Sequence, residues 1–179
     1  MSADGKGENE MKKVLKRAGV LAVLFLFLLG AYVIYVFTAY ERLPDKLTLE
    51  VVRNGGSSHF EGREVFTTKQ PYFIMTYNIG FGAYRPDYSF FMDGGKSSRG
   101  KDEESVTAAV CGAGDIINSV DPDFVLLQEV DRDGTRSYHI DELELLNQFV
   151  KGYYYTYAQN YDSPFLFFPP WDPHGANRA

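Results

Sequence analysis

The longest apolar run extends from Ala18 to Tyr40 without a charged residue. At 1.5 Å per residue it covers about 35 Å as a helix, enough for the roughly 30 Å hydrocarbon core of a bilayer. Lys12, Lys13, Lys16 and Arg17 abut its N-terminal side, and Met1 to Glu10 is polar and reads as mobile. The run is too long for a signal-peptide core, and Val36-Phe37-Thr38-Ala39 is a poor cleavage site. An uncleaved signal anchor is the reading that follows, with Tyr32, Tyr35 and Tyr40 at the outer interface. Glu41, Arg42, Asp45 and Lys46 on the far side balance to zero. The charge asymmetry predicts a single pass with a cytoplasmic N-terminus and an extracytoplasmic remainder.

The pattern then changes period. Leu47, Leu49 and Val51 alternate with Thr48, Glu50 and Val52, a period of two that predicts a strand. Asn54-Gly55-Gly56-Ser57-Ser58 marks a turn, and His59 after it reads as a surface residue. Tyr72 to Tyr77 is aromatic and β-branched, a buried strand that ends at Asn78 before Ile79-Gly80-Phe81-Gly82. Taken alone, Asn78 reads as a turn cap. Asp102 to Val120 has Val106, Ala109, Val110, Ala113, Ile116, Ile117 and Val120 at helical spacing, with Asp102, Glu103 and Glu104 at the dipole's positive end. Gly112 and Gly114 cost helix propensity and predict close packing on a sheet.

Asp121 to Asp131 reads DPDFVLLQEVD. Phe124, Val125, Leu126 and Leu127 form an unbroken apolar run between turn signals, which predicts a strand buried on both faces. Gln128 and Glu129 fall at its C-terminal end. A buried carboxylate costs several kcal/mol unless a cation or donors meet it, so Glu129 requires either an arginine or a metal ion. Arg132 and Arg136, in the charged turn that follows, are candidates to pair with Glu129 or to meet a phosphate. A helix is predicted from Ile140 to Val150, with Leu143, Leu146 and Val150 inward, and a strand from Tyr153 to Tyr157.

Strand, helix and strand in that order make a crossover unit with parallel neighbours. Asn78 and Glu129 then share the C-terminal edge of adjacent strands, where open α/β sheets bind ligands. The loop from Tyr84 to Lys101 is long and reads as flexible, able to flank that edge. Its Gly94-Gly95-Lys96-Ser97 is no P-loop, because Phe90 stands where the first glycine is required.

Composition narrows the chemistry. From Glu41 on there are 13 basic against 21 acidic residues, a net −8, which excludes bulk electrostatic attraction to nucleic acid. The single Cys111 excludes an internal disulfide and a cysteine-rich zinc site, and reads as an inert core thiol. His139 reads as a surface residue and His174, in Asp-Pro-His-Gly, matches no catalytic pattern.

Two segments together, MTYNIG at Met75 to Gly80 and DPDFVLLQEVD at Asp121 to Asp131, resemble the endonuclease/exonuclease/phosphatase superfamily. Thr135-Arg136-Ser137 and the aromatic run to Gly175 look like a membrane-anchored bacterial branch of it. The resemblance implies a metal-dependent phosphoesterase on a DNase I-like α/β sandwich, of which this chain carries the N-terminal half. Glu129 matches the family's magnesium-binding glutamate, and Asn78 the asparagine beside the metal and the scissile phosphate. Magnesium or manganese is the implied cofactor. The implied substrate is a phosphate ester: a lipid head group, a nucleic acid or a soluble phosphate. The family's later Gly-Asp-x-Asn and Ser-Asp-His segments, which carry the general base, have no counterpart here, so the missing C-terminal half is an implied partner. The expected organisation is a basic cytoplasmic tail at 1–17, the anchor at 18–40, a connector with possible strands at 41–70 and the partial domain at 71–179, inactive alone. The alternative is a non-catalytic extracytoplasmic binding module, for which exposed Tyr161, Phe165, Phe167, Phe168 and Trp171 would supply an apolar patch.

Overall fold

A computed structural model describes residues 3–41, 43–55 and 68–179. The chain divides into two units, one ending at Tyr40 and the other starting at Glu41. The first is a single helix, α1 (Ala3–Thr38). Its segment Gly7–Thr38 has mean hydropathy 2.7 over its most apolar window and is long and apolar enough to cross a membrane. The helix starts earlier than the polar N-terminus implies. Lys12 pairs with Glu8 at 2.6 Å and Lys13 with Glu10 at 2.7 Å, the i,i+4 and i,i+3 spacings that support an exposed helix.

The second unit mixes helix and sheet. Its strands are β1 (Val52–Arg53), β2 (Ile74–Asn78), β3 (Phe124–Gln128), β4 (Asp133–Gly134), β5 (Tyr154–Tyr155) and β6 (Asn177–Arg178). Its helices are α2 (Glu103–Val120) and α3 (Glu142–Phe149). β2 and β3 pair in parallel with Ile74 opposite Phe124 and Asn78 opposite Gln128, joined by α2 as the crossover. β1 pairs antiparallel with β5, and β4 with β6. The connector carries a strand, but it is confined to Val52, the last of the alternating residues, and Arg53. The strand expected at 153–157 is likewise only Tyr154–Tyr155. The turn expected at 54–58 falls partly, and His59 wholly, outside the described residues.

α2 begins where its sequence directs. The Asp102 side chain accepts from Ser105 N while Ser105 Oγ accepts from Asp102 N, a reciprocal cap. It ends at Asp121, whose φ of 49° is left-handed and whose N–H reaches Ile117 O at 2.9 Å. Val106, Val110, Ala113 and Ile117 are buried, whereas Ile116 and Val120 lie at the margin and are exposed. Gly114 packs on α3 rather than on the sheet. A Cβ there would lie 3.0 Å from Phe149 Cβ, while one on Gly112 meets nothing within 4 Å. α3 is capped at its start by Asp141, which accepts from Glu144 N, and at its end by the Asn54 amide, which donates to Asn147 O and Val150 O. The core joins Ile79, Val106, Val110, Ala113, Val130 and Leu146, with Tyr77 and Leu127 packed against it from the strands.

The expectation that β3 is buried on both faces is overturned. Both strands alternate, with Met75, Tyr77, Val125 and Leu127 turned to the core and Ile74, Thr76, Phe124 and Leu126 outward. Leu126 is 56% exposed, because among the described residues α2 and α3 cover only one face of the pair. The loop at 84–101 also differs from its reading. It is folded on itself by Phe81, Tyr84, Tyr88 and Phe90, whose ring centroids lie 4.9 to 6.3 Å apart, and Phe90 bridges to Ser97.

Candidate functional site

The C-terminal edge of the β2–β3 pair brings Asn78 and Glu129 together. Ile79 N–H donates to Gln128 O at 3.1 Å, and Phe81 N–H to Glu129 O at 2.9 Å, so the ladder runs past the strands into the turn. Asn78 acts in two ways. Its Oδ1 accepts from Gly80 N at 2.8 Å, which is the turn-capping role of a short amide. Its Nδ2 donates to Glu129 Oε1 at 2.9 Å, across 51 residues of sequence. Glu129 is half-buried and has φ of 55°, left-handed for a residue with a Cβ.

Neither arginine pairs with Glu129. Arg132 Nε reaches Asp141 Oδ2 at 2.8 Å. Arg136 grips Asp131 through Nε at 2.9 Å and Nη2 at 2.7 Å, a bidentate pair. Its guanidinium lies 4.1 Å from the centre of the Phe81 ring. Burial works against the Arg136 charge, but its Asp131 hydrogen bonds and charge, with Glu129 adding, raise its pKa above the usual value. Arg136 therefore influences Glu129 by its field while its donors belong to Asp131.

The sequence reading missed the network around that pair. Asp131 also accepts from Ser137 Oγ at 2.8 Å and donates its N–H to Glu142 Oε2 at 2.8 Å. Asn177 Oδ1 accepts from Arg136 N at 3.0 Å, and its Nδ2 donates to His174 O at 3.1 Å. Gly134 sits among these groups, where a Cβ would fall 2.4 Å from Asp131 Oδ2. Burial, then the neighbouring Asp131 charge, push the Glu142 carboxyl up to about 9, so it is protonated at neutral pH. Thr135-Arg136-Ser137 was the one local signal in the sequence. The Asn177 contact lies too far along the chain to leave any.

His174 is buried elsewhere. Its Nδ1 donates to Ser98 O at 2.9 Å, and Phe90 and Phe91 flank it with centroids 5.8 Å away. Burial lowers its pKa and keeps it neutral. His139 is exposed and its Nδ1 meets Asp133 Oδ1 at 2.6 Å. Cys111 is half-buried, and burial raises its thiol pKa, as for an unreactive thiol.

Among the described residues no three His, Cys, Asp or Glu side chains cluster as a metal cage. Magnesium does not require one. It binds through one or two carboxylates and keeps several waters for substrate oxygens. Glu129, held by Asn78 at one oxygen, fits the part of a single protein ligand, whereas Asp131 is committed to Arg136. No family model, curated protein or solved structure matches the chain.

Proposed function

We propose that this chain carries the metal-facing edge of a membrane-anchored, magnesium-dependent phosphoesterase of the endonuclease/exonuclease/phosphatase type. The observation that carries the reading is the Asn78–Glu129 hydrogen bond at the C-terminal ends of two parallel strands. It unites the two segments on which the resemblance rests. A bound magnesium would polarise a phosphoryl oxygen and offset the charge of an in-line attack. Glu129 would hold the ion, and Asn78 would orient that carboxylate while its own carbonyl fixes the turn at Gly80. α1 would be the signal anchor, with the N-terminus cytoplasmic and residues 41–179 outside the cytoplasm. The uncovered face at Ile74, Phe124 and Leu126 supports a sandwich of the DNase I-like kind, in which a second sheet covers this one and brings the general base. The substrate would be a phosphate ester of a lipid, a nucleic acid or a soluble molecule.

Manganese, a paramagnetic substitute for magnesium, tests this in the full chain. Broadening of the Gly80, Phe81 and Glu129 amide signals that disappears in Glu129→Gln is the expected result. Broadening unaffected by that substitution would reject Glu129 as the ligand.

A second reading, an extracytoplasmic binding module without catalysis, is favoured by one observation. Phe167, Phe168 and Trp171 are 57%, 61% and 71% exposed. Absence of manganese broadening at Glu129, together with capture of an apolar partner by this patch, would select it.

A further inference from the structure

The folded loop after β2 forms a half-open cavity of about 140 Å³, lined by Ala83 and by Arg85, Asp87, Tyr88, Ser97, Arg99 and Lys101. Three cations against one carboxylate is the reverse of the balance in the second unit as a whole, which is −8. Like charges gathered at one concavity repel one another and together attract an anion.

Each cation retains binding capacity. Arg99 is fixed through Nε alone, which donates to Pro173 O at 2.9 Å and lies 3.1 Å from Asp172 Oδ1. Its terminal amino groups are the part of the guanidinium that these two bonds do not use. Arg85 stands 3.7 Å from Asp87 through its Nε, a long and exposed pair. Lys101 has no ion-pair partner among the described residues. The nearby Asp102 carboxylate is turned to the start of α2, where it accepts from Ser105 N at 2.7 Å. Lys101 and Arg85 both lie close enough to add to the Ser105 hydrogen bonds in holding its pKa below the usual range. Tyr88 forms one wall of the cavity. Its hydroxyl is buried and has no hydrogen-bond partner among the described residues. A buried hydroxyl without a partner is costly. Burial, with Tyr84 adding, raises its pKa, so it remains a donor throughout the neutral range.

We infer that this cavity is a phosphate-binding site, in which the ends of Arg85, Arg99 and Lys101 and the hydroxyl of Ser97 surround one phosphate group. Arginine forks and a lysine point charge suit a tetrahedral dianion, and charge-assisted bonds supply the affinity. The Gly94-Gly95-Lys96-Ser97 segment thus contributes through Ser97 and the loop's fold, not as a P-loop. The site does not depend on the Glu129 reading, since no residue is shared between them.

The test uses the full chain in detergent micelles, titrated with inorganic phosphate and followed by the Ser97, Gly100 and Lys101 amide signals. Saturable shifts are expected. Arg85→Gln and Lys101→Gln, both at exposed positions, should each weaken binding by about tenfold, as loss of one charge-assisted bond implies. Ser97→Ala should weaken it less. The same signals in phosphatidylcholine nanodiscs containing phosphatidic acid, without added phosphate, distinguish the source. Shifts there assign a lipid head group, and unshifted signals assign a soluble ester. Absence of saturable shifts with inorganic phosphate, or shifts equal in wild type and in the doubly substituted Arg85→Gln, Lys101→Gln chain, would overturn the inference.

Discussion

Asn78 Nδ2 donates to Glu129 Oε1 at 2.9 Å, and the same amide's Oδ1 accepts from Gly80 N at 2.8 Å. One side chain thus ties the carboxylate to the turn that follows β2. Asn78→Ala removes both bonds and should destabilise the domain by about 1–3 kcal/mol, at a net of roughly 0.5–1.5 kcal/mol for each bond. Urea denaturation measures this. Asn78→Asp should destabilise further at neutral pH, because it sets a second carboxylate against Glu129, and part of that loss should return at pH 4.

Glu129→Gln keeps size and Asn78 as a neighbour while removing the charge. Its expected stability is within about 0.5 kcal/mol of wild type, as for most surface-like changes, with manganese affinity lost. A large fall in thermal midpoint instead would mark Glu129 as a structural residue.

Breaking the buried ion pair should be far more damaging. Asp131 is fully buried and holds Arg136 at two points. Asp131→Asn or Arg136→Met each leaves one charge uncompensated, for which about 3–5 kcal/mol is expected. Arg136→Lys should also be costly, because an ammonium cannot fill a bidentate site. The double substitution Asp131→Asn with Arg136→Met should cost less than the sum, and that coupling is the quantity to measure.

Glu142 sets a pH dependence whose sign follows from its raised pKa. Its carboxyl titrates at about 9 in the fold, against the ordinary value of 4.5 in the unfolded chain. Between those values the folded state keeps a proton that the unfolded state has released. Stability from this group is therefore full below pH 4.5, falls as pH rises, and levels off above about 9. Glu142→Gln, with an uncharged side chain of the same size, should flatten the wild-type decline between pH 5 and 9. Parallel profiles for the two proteins would refute the assignment.

The chain should show no magnesium-stimulated hydrolysis of a generic phosphodiester. The histidines among the described residues are engaged elsewhere, His174 with Ser98 and His139 with Asp133. Neither is bonded to the Asn78–Glu129 edge, where a group to deprotonate water is required. The open face bears on the same point. Val125 to Leu127 amides should exchange within minutes to hours, since β3 pairs only with β2 among the described residues.

What the sequence conveyed depended on distance along the chain. α2 was legible because its caps and its 3.6-residue period are local, and the Asn78–Glu129 edge because a crossover helix dictates parallel neighbours. The face of Leu126 was misread: an apolar run looks the same whether one side or two are covered, and coverage depends on other segments. The Asp131–Arg136 pair lay within one turn, but Arg136 read as a partner for Glu129 or a phosphate, because no local pattern shows which carboxylate the fold buries. Gly134 decided the matter by letting Asp131, Ser137 and Asn177 crowd one point, a role no local pattern reveals. The cavity at Arg85, Arg99 and Lys101 was hidden because its cations come from separate parts of a loop that aromatic packing folds back.

The hydrogen bond from Arg136 N to Asn177 Oδ1 also fixes an order of events during synthesis. Asn177 emerges 46 residues after Asp131, a delay of about 2–9 s at 5–20 residues per second. β2, α2 and β3 can assemble in that interval, because all their contacts lie upstream. The bond to Arg136 N and the pairing of β4 cannot form until β6 arrives. Nascent chains paused before residue 177 should therefore hold a protected α2 alongside an Arg136 still open to solvent, which makes this turn the last part of the domain to become resistant to protease.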